Sequence, residues 1–125
     1  MGKFSRSKGK RGEREAAKFL NDLLKTNCRR GVQFQGSPDS PDVVGLEGIH
    51  VEVKRVEKLN LYDAVEQAVG DSGENIPMVL HRRNNKDWLA VVKAEDLIQF
   101  AKQIISIALE EGEENNGQDS GKDIN

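Results

Sequence analysis

Two carboxylates and an amine stand close together in PDVVGLEGIHVEVK, the stretch from Pro41 to Lys54. Apolar residues alternate through Ile49, Val51 and Val53, the pattern of a strand with one face on a core, so His50, Glu52 and Lys54 share the other face. A turn through Leu46, Glu47 and Gly48, with Gly48 in the left-handed position that ends such a loop, fixes the hairpin register by counting. Gly45 then faces Ile49, Val44 faces His50, Val43 faces Val51 and Asp42 faces Glu52. Directly opposed side chains point to one face with Cβ atoms ~4.5–5.5 Å apart, so Asp42 and Glu52 meet with Lys54 further along. Two like charges so placed repel unless something positive lies between them, and a hard divalent cation with oxygen ligands answers that need. A Mg²⁺ held by these acids would polarise a phosphate and lower the pKa of a bound water, and Lys54 would orient that water or stabilise growing negative charge. The chemistry expected is metal-assisted phosphodiester hydrolysis. A solvated strand face with a cross-strand ion pair is the plain alternative for Glu52 and Lys54.

These residues need elements to position them. Ala16, Phe19, Leu20, Leu23 and Leu24 form the apolar stripe of an amphipathic helix over residues 13–25. Glu13 lies on that stripe's side, and Glu15 is about 200° away around the helix. An acid turned toward a sheet must pair or bind a metal, although an acid near a helix N-terminus is also favoured by the dipole. Short strands are expected at 31–34, 42–46 and 49–55, then a helix capped by Asn60 and carrying Leu61, Ala64, Val65, Ala68 and Val69. Strands at 76–81 and 88–92 flank the turn RRNNKD, and a last helix starts near Ala94. The order α-β-β-β-α-β-β-α gives an α/β fold, a small mixed sheet flanked by helices.

Charge is distributed unevenly along the 125 residues, whose formal net charge is −2. Residues 1–18 hold seven cations against two acids, and from Glu110 onward six acids face Lys122 alone. The expected organisation is one domain over 1–109, led by a basic arm (1–12), and an acidic, disordered tail over 110–125. Lys8, Lys10, Arg11, Arg14, Arg55, Arg82 and Arg83 are the cations assigned to phosphate contact on DNA, those at 82 and 83 sitting in a turn that a solvated hairpin would explain as well. A lone cysteine, Cys28, rules out an intramolecular disulfide, and two histidines, His50 and His81, make no zinc motif. A structural role is expected for His50 and a core position for Trp88. No phosphate loop of the ATP-binding kind is present, so no nucleotide cofactor is implied. No apolar run reaches the ~18 residues of a membrane span, and the expected setting is a reducing cytoplasm.

The stretch PDVVGLEGIHVEVK resembles the PD-(D/E)XK nuclease motif, an Asp at the start of one strand and Glu-x-Lys in the next. KGKRGEREAAKFL resembles the preceding helix of Holliday-junction resolvases of this fold. EVKRVEKLNLYDAVEQA and MVLHRRNNKDWLAVV are similar to phage-type resolvases and the related VRR-NUC nucleases, so the likeness runs from about Lys8 to Phe100. It implies a restriction-endonuclease-like core and a Mg²⁺-dependent endonuclease, with Mn²⁺ able to substitute. Such an enzyme is usually a homodimer that cuts a four-way DNA junction to leave 5′-phosphates. Glu13, Asp42 and Glu52 take the metal-binding acids' places, Lys54 that of the motif lysine, and Gln67 that of a glutamine near the site. Ser37 and Ser40 share a loop where resolvases often carry a functional serine, and Asp39 reads as turn chemistry. A nicking, repair or restriction-type nuclease on duplex DNA, or a non-catalytic DNA-binding subunit, are the other readings.

Overall fold

The computed structural model describes residues 2–31 and 40–117, with side chains over 9–31 and 40–110. The elements follow the expected order: α1 (Gly2–Leu24), β1 (Arg29–Arg30), β2 (Val43–Val44), β3 (Ile49–Lys54), α2 (Leu61–Asp71), β4 (Ile76–His81), β5 (Leu89–Val91) and α3 (Leu97–Gly117), the last preceded by a single 3₁₀ turn at Ala94–Asp96. The five strands form one mixed sheet in the order β1-β2-β3-β4-β5. Only β3 and β4 run parallel, as a pair joined through a helix must, and every other pairing is antiparallel.

Alternation along β3 and β4 divides the protein into two layers. Ile49, Val51, Met78 and Leu80 are buried with Ala16, Ala17 and Leu20 of α1 and Ile107 of α3, so α1 and α3 cover one face. On the other face Val79 packs with Ala64 and Ala68 of α2. The two alanines let α2 lie close over β4 and β3. Asn60 caps that helix as expected, its Oδ1 accepting from the Asp63 N–H at 3.1 Å. The interior side chains Val43, Val51, Met78, Val79 and Leu80 are less than 2% exposed, each contributing roughly 1.5–3 kcal/mol of burial.

Boundaries differ in ways that local chemistry explains. Helix α1 begins at Gly2, so the basic arm of residues 2–12 continues the helix as backbone and does not lead into it. Its Lys, Arg and Glu residues are good helix formers that outweigh Gly9 and Gly12. The first strand is at Arg29–Arg30, earlier than expected, and positions 32–34, like Ser37 and Asp39, lie outside the described residues. Helix α3 runs to Gly117, carrying helix past residue 109 into the acidic segment that was expected to be disordered, as its glutamates favour; residues 118–125 lie outside the described residues.

At the end of α1 a side-chain clasp joins helix to sheet. Asn21 Nδ2 donates to the Cys28 carbonyl at 2.9 Å, while its Oδ1 accepts from the Cys28 N–H and from Thr26 Oγ1. Near the other end, Gly12 faces the sheet where α1 crosses β3: a Cβ there would lie 2.6 Å from Cβ of Arg55. Gly12→Ala is therefore expected to lower stability in urea denaturation by roughly 1–3 kcal/mol, although alanine is worth ~1 kcal/mol more than glycine in an open helix. A gain in stability would show that the close approach is absent.

Candidate active site

The hairpin adopts the counted register. Val43 pairs with Val51, Gly48 has φ +79°, and the Ile49 N–H closes the loop on the Leu46 carbonyl at 3.2 Å. Asp42 is bound into β3 twice: its backbone N–H donates to the Val51 carbonyl at 2.9 Å, and its Oδ2 accepts from the Val53 N–H at 2.8 Å. This second bond orients the carboxyl along the strand beside Glu52. Burial pushes the Asp42 carboxyl from 3.8 up to about 7; the Val53 N–H pulls it down, and Glu52, as like charge and hydrogen-bonding neighbour, and Glu13 push it up again.

Glu52 is 3% exposed, and its Oε1 lies 2.9 Å from Nε2 of His50, itself 2% exposed. The two are successive residues on the face of β3 beneath α2, whose final residue, Asp71, completes the cluster. Donor atoms of His50, Glu52 and Asp71 all lie within 4.8 Å of one another, the one trio of His, Cys, Asp or Glu so arranged among the described residues. Asp71 carried no signal in the sequence beyond ending a helix, because nothing local shows that the helix ends over His50. Lys54 Nζ, the next on this face, donates to Oε1 of Gln67 on α2 at 2.9 Å, so a residue singled out only by resemblance is the one that holds the lysine.

Glu13 is placed differently from Asp42 and Glu52. It lies on α1, which covers the opposite face of the sheet, and its Oε1 accepts from Arg30 Nε at 2.9 Å. Burial raises its pKa, Arg30 lowers it, and the Glu52 charge raises it, so it shares the field of the acids. It does not join Asp42 and Glu52 in a trio of ligand spacing, because Arg30 holds it on the α1 side. Pairing by Arg30 was invisible in the sequence, since it requires β1 to lie beneath α1.

The cations divide into two groups. Lys10, Arg11, Arg14 and Arg83 are exposed, and the Lys8 side chain lies outside the described residues. Arg55 and Arg82 are instead bound to one acid: Glu15 Oε1 accepts from Arg55 Nε at 3.1 Å and from Arg82 Nη1 at 2.6 Å. Helical arithmetic turned Glu15 away from Glu13 but not away from the protein, because the ends of β3 and β4 reach around α1 to meet it. His81 is structural as well, its Nε2 lying 3.0 Å from the Val56 carbonyl. Trp88 is half-buried and stacks with Phe19, ring centroids 6.1 Å apart. Cys28 is buried, and Ser40 is half-buried beside the hairpin.

Chemically, the site offers a buried and an adjoining half-buried carboxyl, an imidazole on the buried one and an amine on the same strand face. The carboxylate oxygens of that set could hold a hard cation. Set beside known proteins, the chain matches no family model, no curated protein and no solved structure.

A carboxyl that keeps its proton in the folded state up to about 7, but loses it near 3.8 when unfolded, makes stability fall as pH rises through that window. Asp42→Asn should therefore be more stable than the wild type at pH 8 without divalent cations, by up to roughly 4 kcal/mol at ~1.4 kcal/mol per pKa unit, and the gap should close toward pH 4. Urea titrations at both pH values read this directly, and a constant gap would remove Asp42 as its cause. His50→Ala removes the His50 hydrogen bond from the buried Glu52 carboxylate and should cost about 1–3 kcal/mol in the same assay.

Proposed function

We propose that this protein is a Mg²⁺-dependent endonuclease with a restriction-endonuclease-like core that hydrolyses DNA phosphodiester bonds at four-way junctions. The observation that carries the reading is the hairpin: its register sets Asp42 beside Glu52, with Lys54 next on the same strand and held by Gln67. A strand face serving only solubility has no use for two adjoining acids, one buried and the other titrating near neutrality. The α-β-β-β-α-β-β-α order and the mixed sheet are compatible with that core.

Asp42 and Glu52 would hold the cation, and Glu13 adds negative charge from the α1 side. The chemistry that a bound Mg²⁺ (or Mn²⁺) would supply at Asp42 and Glu52 is polarisation of a phosphate and a lowered pKa for water. The protein's own part is orientation. The Val53 N–H fixes the Asp42 carboxyl, His50 fixes that of Glu52, and Gln67 steadies the Lys54 ammonium for a phosphate oxygen or the attacking water. Exposed Lys10, Arg11, Arg14 and Arg83 are available to the flanking phosphates. Two such sites, as a homodimer would present, suit a junction whose two strands are cut symmetrically.

The test incubates the protein with a synthetic four-way junction and, separately, with linear duplex of the same sequences. Paired 5′-phosphate-leaving nicks in the junction are expected with Mg²⁺ and not with EDTA. Glu52→Gln, which keeps an oxygen for His50, and Lys54→Ala should each slow cleavage by at least ~100-fold while junction binding persists. Mg²⁺ should also raise the melting temperature of the wild type at pH 8 and leave that of Glu52→Gln unchanged. Cutting of linear duplex alone would move the function to a repair or restriction-type nuclease. Binding without cleavage under Mg²⁺ and Mn²⁺ would refute the enzymatic reading.

A further inference from the structure

Helix α2 returns antiparallel to β3, as the crossover between two parallel strands does, so its last residue comes to rest over the start of that strand. That residue is Asp71, and beneath it are the buried His50 and Glu52. Asp71 is half-buried, and among the described residues its carboxylate makes no hydrogen bond and no ion pair. It ends a helix with no basic residue in the last turn, where the helix dipole disfavours an acid. Glu52 has His50 as its one ion-pair partner among the described residues, and Lys54 on the same face is turned to Gln67. Two acids and an imidazole thus converge with no Lys or Arg among them, an arrangement that costs stability unless a cation completes it.

We propose that His50, Glu52 and Asp71 bind a borderline divalent transition ion of the Zn²⁺ type, in a site distinct from the one that Asp42 and Glu52 offer to Mg²⁺. The imidazole nitrogen separates the two. Mg²⁺ takes oxygen ligands, whereas imidazole suits Zn²⁺ and its neighbours in the first transition row. With its proton on Nδ1, the ring presents Nε2 as a neutral ligand.

The geometry fits such an ion. Neighbouring ligands at bond lengths of ~2.0–2.2 Å lie roughly 3.0–3.4 Å apart, from octahedral to tetrahedral arrangement. His50 Nε2 and Glu52 Oε1 are 2.9 Å apart. An Asp71 oxygen lies within 4.8 Å of both, and its side chain, held by no described partner, closes the remainder by turning. No zinc spacing shows in the sequence because Asp71 arrives from a different element. An ion so bound ties the end of α2 to β3 and holds the Glu52 carboxylate from the α2 side, while Asp42 adjoins it from the β2 side. The proposal goes beyond the nuclease reading and does not need it, since metal binding is measured without DNA.

Calorimetric titration of the full chain with ZnCl₂ near neutral pH, in excess Mg²⁺ to occupy sites made of carboxylates alone, should give one Zn²⁺ per chain. The melting temperature should rise with it, and Co²⁺ in its place should show the visible spectrum of a nitrogen-ligated ion. Asp71→Ala, a change outside both apolar clusters, and His50→Gln should each weaken Zn²⁺ binding by at least ~10-fold, whereas Asp42→Asn and His81→Gln should keep it within about twofold. Should His50→Gln fail to fold, Asp71→Ala decides the matter. A wild type that binds Zn²⁺ and shows no response to Mg²⁺ would leave this site standing and remove the Mg²⁺ site. No bound Zn²⁺, equal binding by folded Asp71→Ala, or binding lost with His81→Gln would each overturn the proposal.

Discussion

The bond from the Val53 N–H to the Asp42 carboxylate is the contact on which the site depends. It commits a strand's backbone donor to a side chain, and in doing so it turns an acid at the end of β2 along β3, beside Glu52. Without it the pair would be two carboxyls on neighbouring strands, free to swing apart under their own repulsion. With it they are held together; burial and then the neighbouring Glu52 and Glu13 charges raise the Asp42 carboxyl to about 7 even though the Val53 N–H itself pulls it down. The neighbouring contacts serve the same end: His50 fixes Glu52 from within the strand, and Gln67 fixes Lys54 from α2. A site restrained on this many sides has its polar groups set before any ligand arrives, as the proposed hydrolysis would require.

Much of this was legible in the sequence because it is local. The hairpin register follows from a loop length and a glycine, and Val43 does pair with Val51. The order of the elements follows from apolar periodicity, and the Asn60 cap from its residue type. What stayed hidden depends on elements far apart in the chain. Asp71 reaches His50 only because α2 ends above β3; Arg30 reaches Glu13 only because β1 lies beneath α1; and Glu15 gathers Arg55 and Arg82 from the ends of two parallel strands. No spacing rule within one segment carries that information. Helix α1 exceeded its expected start for a different reason: apolar periodicity marks where a helix packs, whereas helix-favouring Lys and Arg residues extend it beyond that stretch.

The placement of Glu13 separates two roles that the resemblance merges. Its field reaches Asp42, but its carboxylate is engaged by Arg30 on the other side of the sheet. It acts on the site as charge and as an anchor for α1, whereas Asp42 and Glu52 present oxygens to a common space. The same helix thus contributes electrostatics at Glu13 and, two residues on, a brace between strand ends through Glu15.

That brace changes how the surface cations should be counted. A polyanion bound along this side exchanges its condensed counterions only for cations whose charge is not already answered within the protein, with log K falling by about 0.9 for each phosphate neutralised per unit log salt. Arg55 and Arg82 share the Glu15 carboxylate, and Arg55 also lies 3.9 Å from Glu57, so the two cations are balanced by two acids. The ionic-strength dependence of any such complex is therefore set mainly by the exposed heads of Lys10, Arg11, Arg14 and Arg83, while Arg55 and Arg82 contribute shape and rigidity without releasing ions.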